Sequence, residues 1–442
     1  RGLEVIQDDA YNVVIKKAGS RGAEDHAPVM LQGHMDMVCE KRAGVEHDFE
    51  KDGLDLIIRD GRLTANGTTL GGDNGVAVAL MLMVLDDDEI EHPPVECVFT
   101  TEEEVGLNGA KALDKSVLKA RTMINMDSED EGVATVSCAG GLRVQFTKEI
   151  QRTTVQGSLL TLKVEGLLGG HSGQDIDKER QNADLLMARM IQRLLKETKG
   201  QLVSFNGGTK DNAIPRECEA SLIYESDEEA AKAEELACEL AETYAEELTP
   251  AEPDFSCEIS CETNRTAEAI PQDAAKEFIC AMRLAPNGIQ KRNIKMDGFV
   301  VVSLNLGVVR TEEDRIVMIF SPRSSVASLQ EDTKERLNTL AETFGFTVSH
   351  SSEYPGWSFK EDSPVREICK ESYKELFGED LKIEAIHAGL ECGLFSDAIK
   401  GLDAIAIGPT IANCHTPDEY LTLDSFERFY EFLKDILSRL AK

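Results

Sequence analysis

The sequence predicts an α/β fold, a mixed sheet covered by helices and interrupted by a smaller inserted α+β domain. Three observations carry this expectation. Over the first 140 residues, short apolar runs alternate with helical stretches. Near Ala139-Gly140-Gly141 the pattern changes to a segment in which a βαβ-type unit occurs twice. After Tyr354-Pro355-Gly356-Trp357 the opening pattern returns. The expected division is residues 1–140 with 354–442 as one discontinuous domain and 141–353 as the insertion, in keeping with a chain of 442 residues.

Residues 12–15 read as a short strand, and residues 28–33 as a buried strand, an apolar run ending in glycine. Residues 73–85, rich in Ala, Val, Leu and Met, read as a helix. Residues 95–100 and 122–126 are further strands. In the insertion, 159–164 alternate as a strand, 184–195 form a helix, 202–205 and 219–224 are strands, and 228–247 form a long helix. A similar succession follows, with strands over 299–308 and 315–321 and a helix over 330–344, a hint of internal duplication. The last segment supplies a helix over 364–377, strands over 381–385 and 404–407, and a terminal helix over 423–440.

Acidic residues number 81 against 47 basic ones, a formal charge of -34. Such a surface repels nucleic acid and anionic membranes, so neither is an expected partner. Most of these charges are a solvated surface. The 11 cysteines are scattered without a CxxC pair. They read as reduced thiols, and the expected location is the cytoplasm. No apolar run reaches membrane-helix length. Arg1 is not an initiator Met, and the first segment reads as the middle of a domain, so a preceding stretch is expected.

Five short clusters carry chemistry. His34 and Asp36, in Gly33-His34-Met35-Asp36, stand at the end of the strand over 28–33. Residues two apart face one side of an extended segment, so the carboxylate can hold the imidazole for metal binding. Asp73 lies in Leu70-Gly71-Gly72-Asp73-Asn74-Gly75, directly before a helix. Alone it reads as a helix cap, but a carboxylate on a tight glycine turn can also bridge two cations. Glu102-Glu103-Glu104 follows the strand over 95–100, where one glutamate can bind metal while its neighbour accepts a proton from water. Asp127 follows the strand over 122–126, and His415, in Asn413-Cys414-His415-Thr416-Pro417, comes shortly after the strand ending at Ile407. Cys414 reads as an inert thiol. Each cluster alone is as well explained by a turn or a cap. Together, His34, Asp73, Glu104, Asp127 and His415 are a mixed nitrogen and oxygen set at strand ends, suited to two Zn²⁺ ions sharing a bridging aspartate.

The stretches GHMDMV, TTLGGDNGVAVA, TTEEEVG, NMDSEDEG, CAGG, GGHSG, NAIPRE, HAGLECG and CHTPDE, in this order along the chain, resemble those of the aminoacylase/carboxypeptidase-like zinc peptidases. They are most similar to the branch that hydrolyses aminoacyl-histidine and other dipeptides. The resemblance implies that His34 and Asp127 bind one zinc, Glu104 and His415 the other, and that Asp73 bridges them, with a cis bond to Asn74. It implies Asp36 as the group orienting His34 and Glu103 as the general base, counting back from Val105-Gly106. The insertion would be a lid carrying His171 for the oxyanion, Asn212 for substrate contact and Arg323 for the peptide carboxylate. Two Zn²⁺ per chain, replaceable by Mn²⁺ or Co²⁺, a small peptide substrate and a homodimer are likewise implied. Within the family, a tripeptidase, a carboxypeptidase or an N-acyl amino acid deacylase is the alternative. Outside it, the alternative is a non-catalytic peptide- or metal-binding protein on the same scaffold.

Overall fold

The computed structural model describes residues 2–294 and 298–442. The chain divides into two compact units, residues 1–138 with 355–442 and residues 139–354.

The first unit is built on an eight-stranded sheet ordered Glu4–Gln7, Val13–Lys17, Val95–Thr100, Val29–His34, Thr122–Asn125, Asp403–Ala406, Val133–Cys138, Lys382–Ile386. Val29–His34 runs parallel to both Val95–Thr100 and Thr122–Asn125, and Asp403–Ala406 runs parallel to Thr122–Asn125. Val13–Lys17 pairs antiparallel with both of its neighbours, so the sheet is mixed. Val29–His34 and Val95–Thr100 are buried at every position. Strands covered on both faces read as continuous apolar runs, which is why these two are visible in the sequence. The helix Gly72–Asp86 crosses Val29–His34 closely. A Cβ on Gly33 would lie 2.3 Å from that of Ala77, so only glycine fits beneath the helix. A smaller four-stranded sheet joins Ile411–Ala412, Tyr420–Thr422, Arg62–Ala65 and Leu56–Arg59, and it carries the loop over 413–419.

The second unit holds a nine-stranded sheet whose pairings are all antiparallel. Four helices, Ala183–Glu197, Asp227–Leu248, Gln272–Leu284 and Ala327–Thr343, pack with it into one core containing Phe146, Phe205, Phe278 and Phe320. The βαβ-type units are of the split kind. Thr153–Glu165 and Gln201–Gly207, joined through the helix Ala183–Glu197, both pair antiparallel with Cys218–Tyr224. They are therefore parallel to each other with that strand between them. Arg315–Ser324 and Thr347–Tyr354 flank Gly140–Glu149 in the same way. Sequence periodicity locates each strand and helix but not the strand inserted between them.

Asp184, in the first turn of Ala183–Glu197, is fully buried. It faces Gly207 so closely that a Cβ there would fall 1.6 Å from its Oδ1. Burial, only partly offset by the Cys218 thiol and the Arg310 charge, pushes its carboxyl up to about 8. The folded state therefore holds a proton that the unfolded chain releases near 3.8. This contribution to stability is complete below the unfolded value and is lost as pH rises through the folded one. Asp184→Asn should abolish the loss, and relative to wild type its unfolding free energy from urea titration should gain on the order of a few kcal/mol between about pH 5 and 9. Parallel pH profiles for the two proteins would contradict this.

Candidate active site

Parallel strands that lie side by side end at one edge of the sheet. Val95–Thr100, Val29–His34 and Thr122–Asn125 are neighbours, with His34 level with Thr100 and Gln32 level with Asn125. The residues at or just past these ends are therefore gathered without any further device: Glu103 and Glu104 beyond the first strand, His34 closing the second and Asp127 beyond the third. Outside the carboxyl ends of strands is where open α/β sheets place their sites. Asp73 arrives from the glycine turn before its helix, where Gly71 holds φ at 67°. His415 comes from the loop between Ile411–Ala412 and Tyr420–Thr422.

These side chains meet. His34 Nε2 lies 3.0 Å from Asp73 Oδ1 and 3.6 Å from Asp127 Oδ1. His415 Nε2 lies 3.2 Å from Asp73 Oδ2 and 2.9 Å from Glu104 Oε1. Asp73 thus presents one oxygen to each imidazole. Among the described residues, three groups of possible ligand atoms share it, each within 4.8 Å: His34, Asp73 and Asp127 on one side, Asp73, Glu104 and His415 on the other, and Asp73 with Glu129 and Cys414; a fourth group joins His34, Glu103 and Glu104. The Asp73–Asn74 bond is cis.

Asp36 acts on more than the imidazole. Its backbone carbonyl faces His34 Nδ1 at 3.0 Å while its carboxylate stands 3.6 Å away. That carboxylate accepts from the backbone N–H groups of Glu103 and Glu104, each at 3.1 Å, and so fixes the turn that presents both glutamates.

The donor chemistry fits a cation pair. A carbonyl can only accept, so His34 Nδ1 carries the hydrogen facing Asp36. Nε2 then points a lone pair at two carboxylates, an arrangement that needs a proton or a metal between them. Burial works against a charged His34, but the accepting carboxylates of Asp127, Asp36 and Asp73 outweigh it and hold its pKa far above the usual range. His415 is raised to about 10, chiefly by Asp73 and Glu104. Glu103 is pushed up to about 9 by burial and by the Asp127, Glu391 and Glu104 carboxylates. So many acids facing one another are relieved by positive charge placed among them. Cys414 lies with Glu129 beside Asp73. Burial and the surrounding carboxylates push its thiol up, which disfavours the thiolate.

In the second unit, His171 and Asn212 are brought together. Gly170–His171 pairs with Ala213–Ile214, and Ser172 N donates to Asn212 O at 2.9 Å. His171 Nδ1 accepts from the backbone N–H groups of Gln174, at 3.0 Å, and Gly173, at 3.3 Å. Its Nε2 therefore carries the hydrogen as a free donor. Burial and the nearby Arg323 charge lower the His171 pKa, which keeps the ring neutral. Arg323 is 6% exposed, donates to Tyr354 Oη at 3.0 Å, and has a buried Nε with no partner.

Sequence reasoning passed over two buried acids. Glu391 is fully buried beneath the first cluster. Its Oε2 accepts from Thr100 Oγ1 at 2.6 Å and from Gln32, whose Oε1 accepts from Asn125 at 2.6 Å. Burial raises Glu391 to about 7. Glu419 is the second. Both belong to recognisable motifs, HAGLECG and CHTPDE, but a lone acid there carries no signal of burial.

Residues 30–439 match Peptidase family M20/M25/M40. The cytosol non-specific dipeptidase of Escherichia coli (strain K12) is 35% identical over 446 residues, covering 100% of this chain and 91% of its own length. The solved aminoacylhistidine dipeptidase from Vibrio alginolyticus is similar with a TM-score of 0.93 and 36% identity, over 99% of this chain and 89% of that one. An aminopeptidase structure from Bacillus cereus ATCC 10987, at a TM-score of 0.55 and 16% identity over 100% of this chain and 90% of that one, shares the fold.

Proposed function

Because the chain belongs to peptidase family M20/M25/M40, we propose that it is a dinuclear metal dipeptidase that cleaves the single peptide bond of dipeptides, Xaa-His among them. The observation that carries this reading is the Asp73 carboxylate, with one oxygen toward His34 and the other toward His415. The similarity to the two dipeptidases supports the substrate class.

His34, Asp73 and Asp127 would hold one ion, and Asp73, Glu104 and His415 the other. Zinc suits this nitrogen and oxygen set, and Mn²⁺ or Co²⁺ would also be accepted. Bound there, the metal pair supplies Lewis-acid polarisation of the scissile carbonyl and acidification of water. Glu103 takes the proton of the attacking water and returns it to the leaving amine. Positive charge among Asp127, Glu104 and Asp73 brings Glu103 into its ionised form. Asp36 holds Glu103 and Glu104 in place through their backbone N–H groups. For the second unit the family resemblance suggests that His171 would offer its Nε2–H to an oxyanion, Asn212 would contact substrate and Arg323 would pair with a substrate carboxylate.

A panel of dipeptides, tripeptides and N-acetyl amino acids, each with and without a chelator, tests the reading. Chelator-sensitive release of amino acids from dipeptides above all others is expected. Preferred turnover of N-acetyl amino acids or tripeptides would replace the dipeptidase assignment.

A further inference from the structure

The turn that presents Asp73 has no cap of its own. Gly71, which precedes the helix Gly72–Asp86, has no side chain to accept a hydrogen bond. Four successive N–H groups there are taken instead by one carboxylate, that of Glu419, 346 to 349 residues away. Its Oε2 accepts from Leu70 N at 2.8 Å and Gly71 N at 3.0 Å, and its Oε1 from Gly72 N at 2.7 Å and Asp73 N at 3.2 Å. Glu419 is 2% exposed. A buried carboxylate is tolerated when donors surround it, and the start of a helix supplies both donors and positive potential.

Glu419 also closes the loop that carries His415. Its N–H donates to Thr416 O at 3.1 Å, directly before Tyr420–Thr422 pairs with Ile411–Ala412. Asn413 and His415 hold φ at 55° and 63°, left-handed conformations that non-glycine residues keep only when their surroundings fix them.

We propose that Glu419 is a positioning residue of the metal centre. Its side chain locks the Asp73 turn to the His415 loop, so that the carboxylate and imidazole that share an ion arrive together. This rests on the metal-centre reading above. The role requires an acceptor at both oxygens, because an amide in that place would turn its NH₂ onto two backbone N–H groups.

Zn²⁺ titration calorimetry on the chelator-stripped full chain tests the proposal, alongside urea unfolding of the same metal-free samples. Glu419→Gln should weaken Zn²⁺ binding by about 10–100-fold. Ser363→Ala serves as the structural control. It removes the cap of another helix in the same unit, Pro364–Phe377, where Ser363 Oγ accepts from Arg366 N. It should lower the urea midpoint and leave Zn²⁺ affinity at the wild-type value. If Glu419→Gln does not fold, Gly72→Ala presses on the same contact, since its Cβ would lie 3.2 Å from Glu419 Oε1. A weakening in the same direction, smaller in size, is then expected. Wild-type chain that binds no Zn²⁺ would remove the metal-centre reading and this proposal with it. Wild-type chain that binds Zn²⁺, with Glu419→Gln (or Gly72→Ala in its place) binding as tightly or weakened no more than Ser363→Ala, would overturn the positioning role alone.

Discussion

Glu103→Gln is expected to lower kcat on dipeptides by about 10²–10⁴-fold while metal content stays at the wild-type level. The substitution keeps size and polarity and removes only the ability to take and return a proton. Glu103 is suited to that exchange because burial and the Asp127, Glu391 and Glu104 carboxylates raise its proton affinity well above that of an exposed glutamate. Its backbone N–H is held by Asp36, so the amide would occupy the same place. Steady-state turnover with elemental analysis of the same sample decides the matter. Near wild-type turnover would move the proton-transfer role to another acid, and Glu104 is the first candidate.

Asp73→Ala should remove metal and activity together, with turnover falling by roughly 10³-fold or more, because under the proposed arrangement both ions would lose their shared ligand. Asp73 appears in three of the four possible ligand groups, more than any other of the five clustered side chains. Its loss also leaves His34 and His415 without the carboxylate that each faces at 3.0 Å and 3.2 Å. Circular dichroism separates this outcome from unfolding. Full metal occupancy in a folded Asp73→Ala chain would exclude a bridging role.

Much of the site was legible because parallel strands convert sequence into geometry. Once residues 28–33, 95–100 and 122–126 are read as buried strands of one sheet, the polar residues after them fall along a single edge. Legibility stopped where burial no longer follows hydrophobicity. Ser256–Ala269 is a 14-residue strand at the sheet's edge, with mostly exposed, polar positions. Its apolar alternation is short, with Cys257, Ile259 and Cys261 packed against the core, and it is passed over in the sequence together with the following helix Gln272–Leu284, although buried Ala275, Phe278, Ile279 and Met282 recur there at helical spacing. The helix Asp227–Leu248 does stand out, since Ser226 caps it and buried Ala230, Ala233 and Ala237 recur at helical spacing. Asp36 was linked to His34 by their spacing, yet its carboxylate bonds the Glu103 and Glu104 backbone, a partnership that exists only after the strands align. Glu391 and Glu419 were passed over for the same reason. Each is an acid whose partners come from hundreds of residues away in the chain.

The central claim is that two ions share Asp73 and that peptide hydrolysis depends on them. Zn²⁺ added back to chelator-stripped chain, with bound metal measured by elemental analysis and dipeptide turnover followed at each addition, tests it most directly. Turnover should rise with occupancy and saturate at two equivalents per chain. Full turnover of the stripped chain, or saturation with no metal bound, would contradict the account.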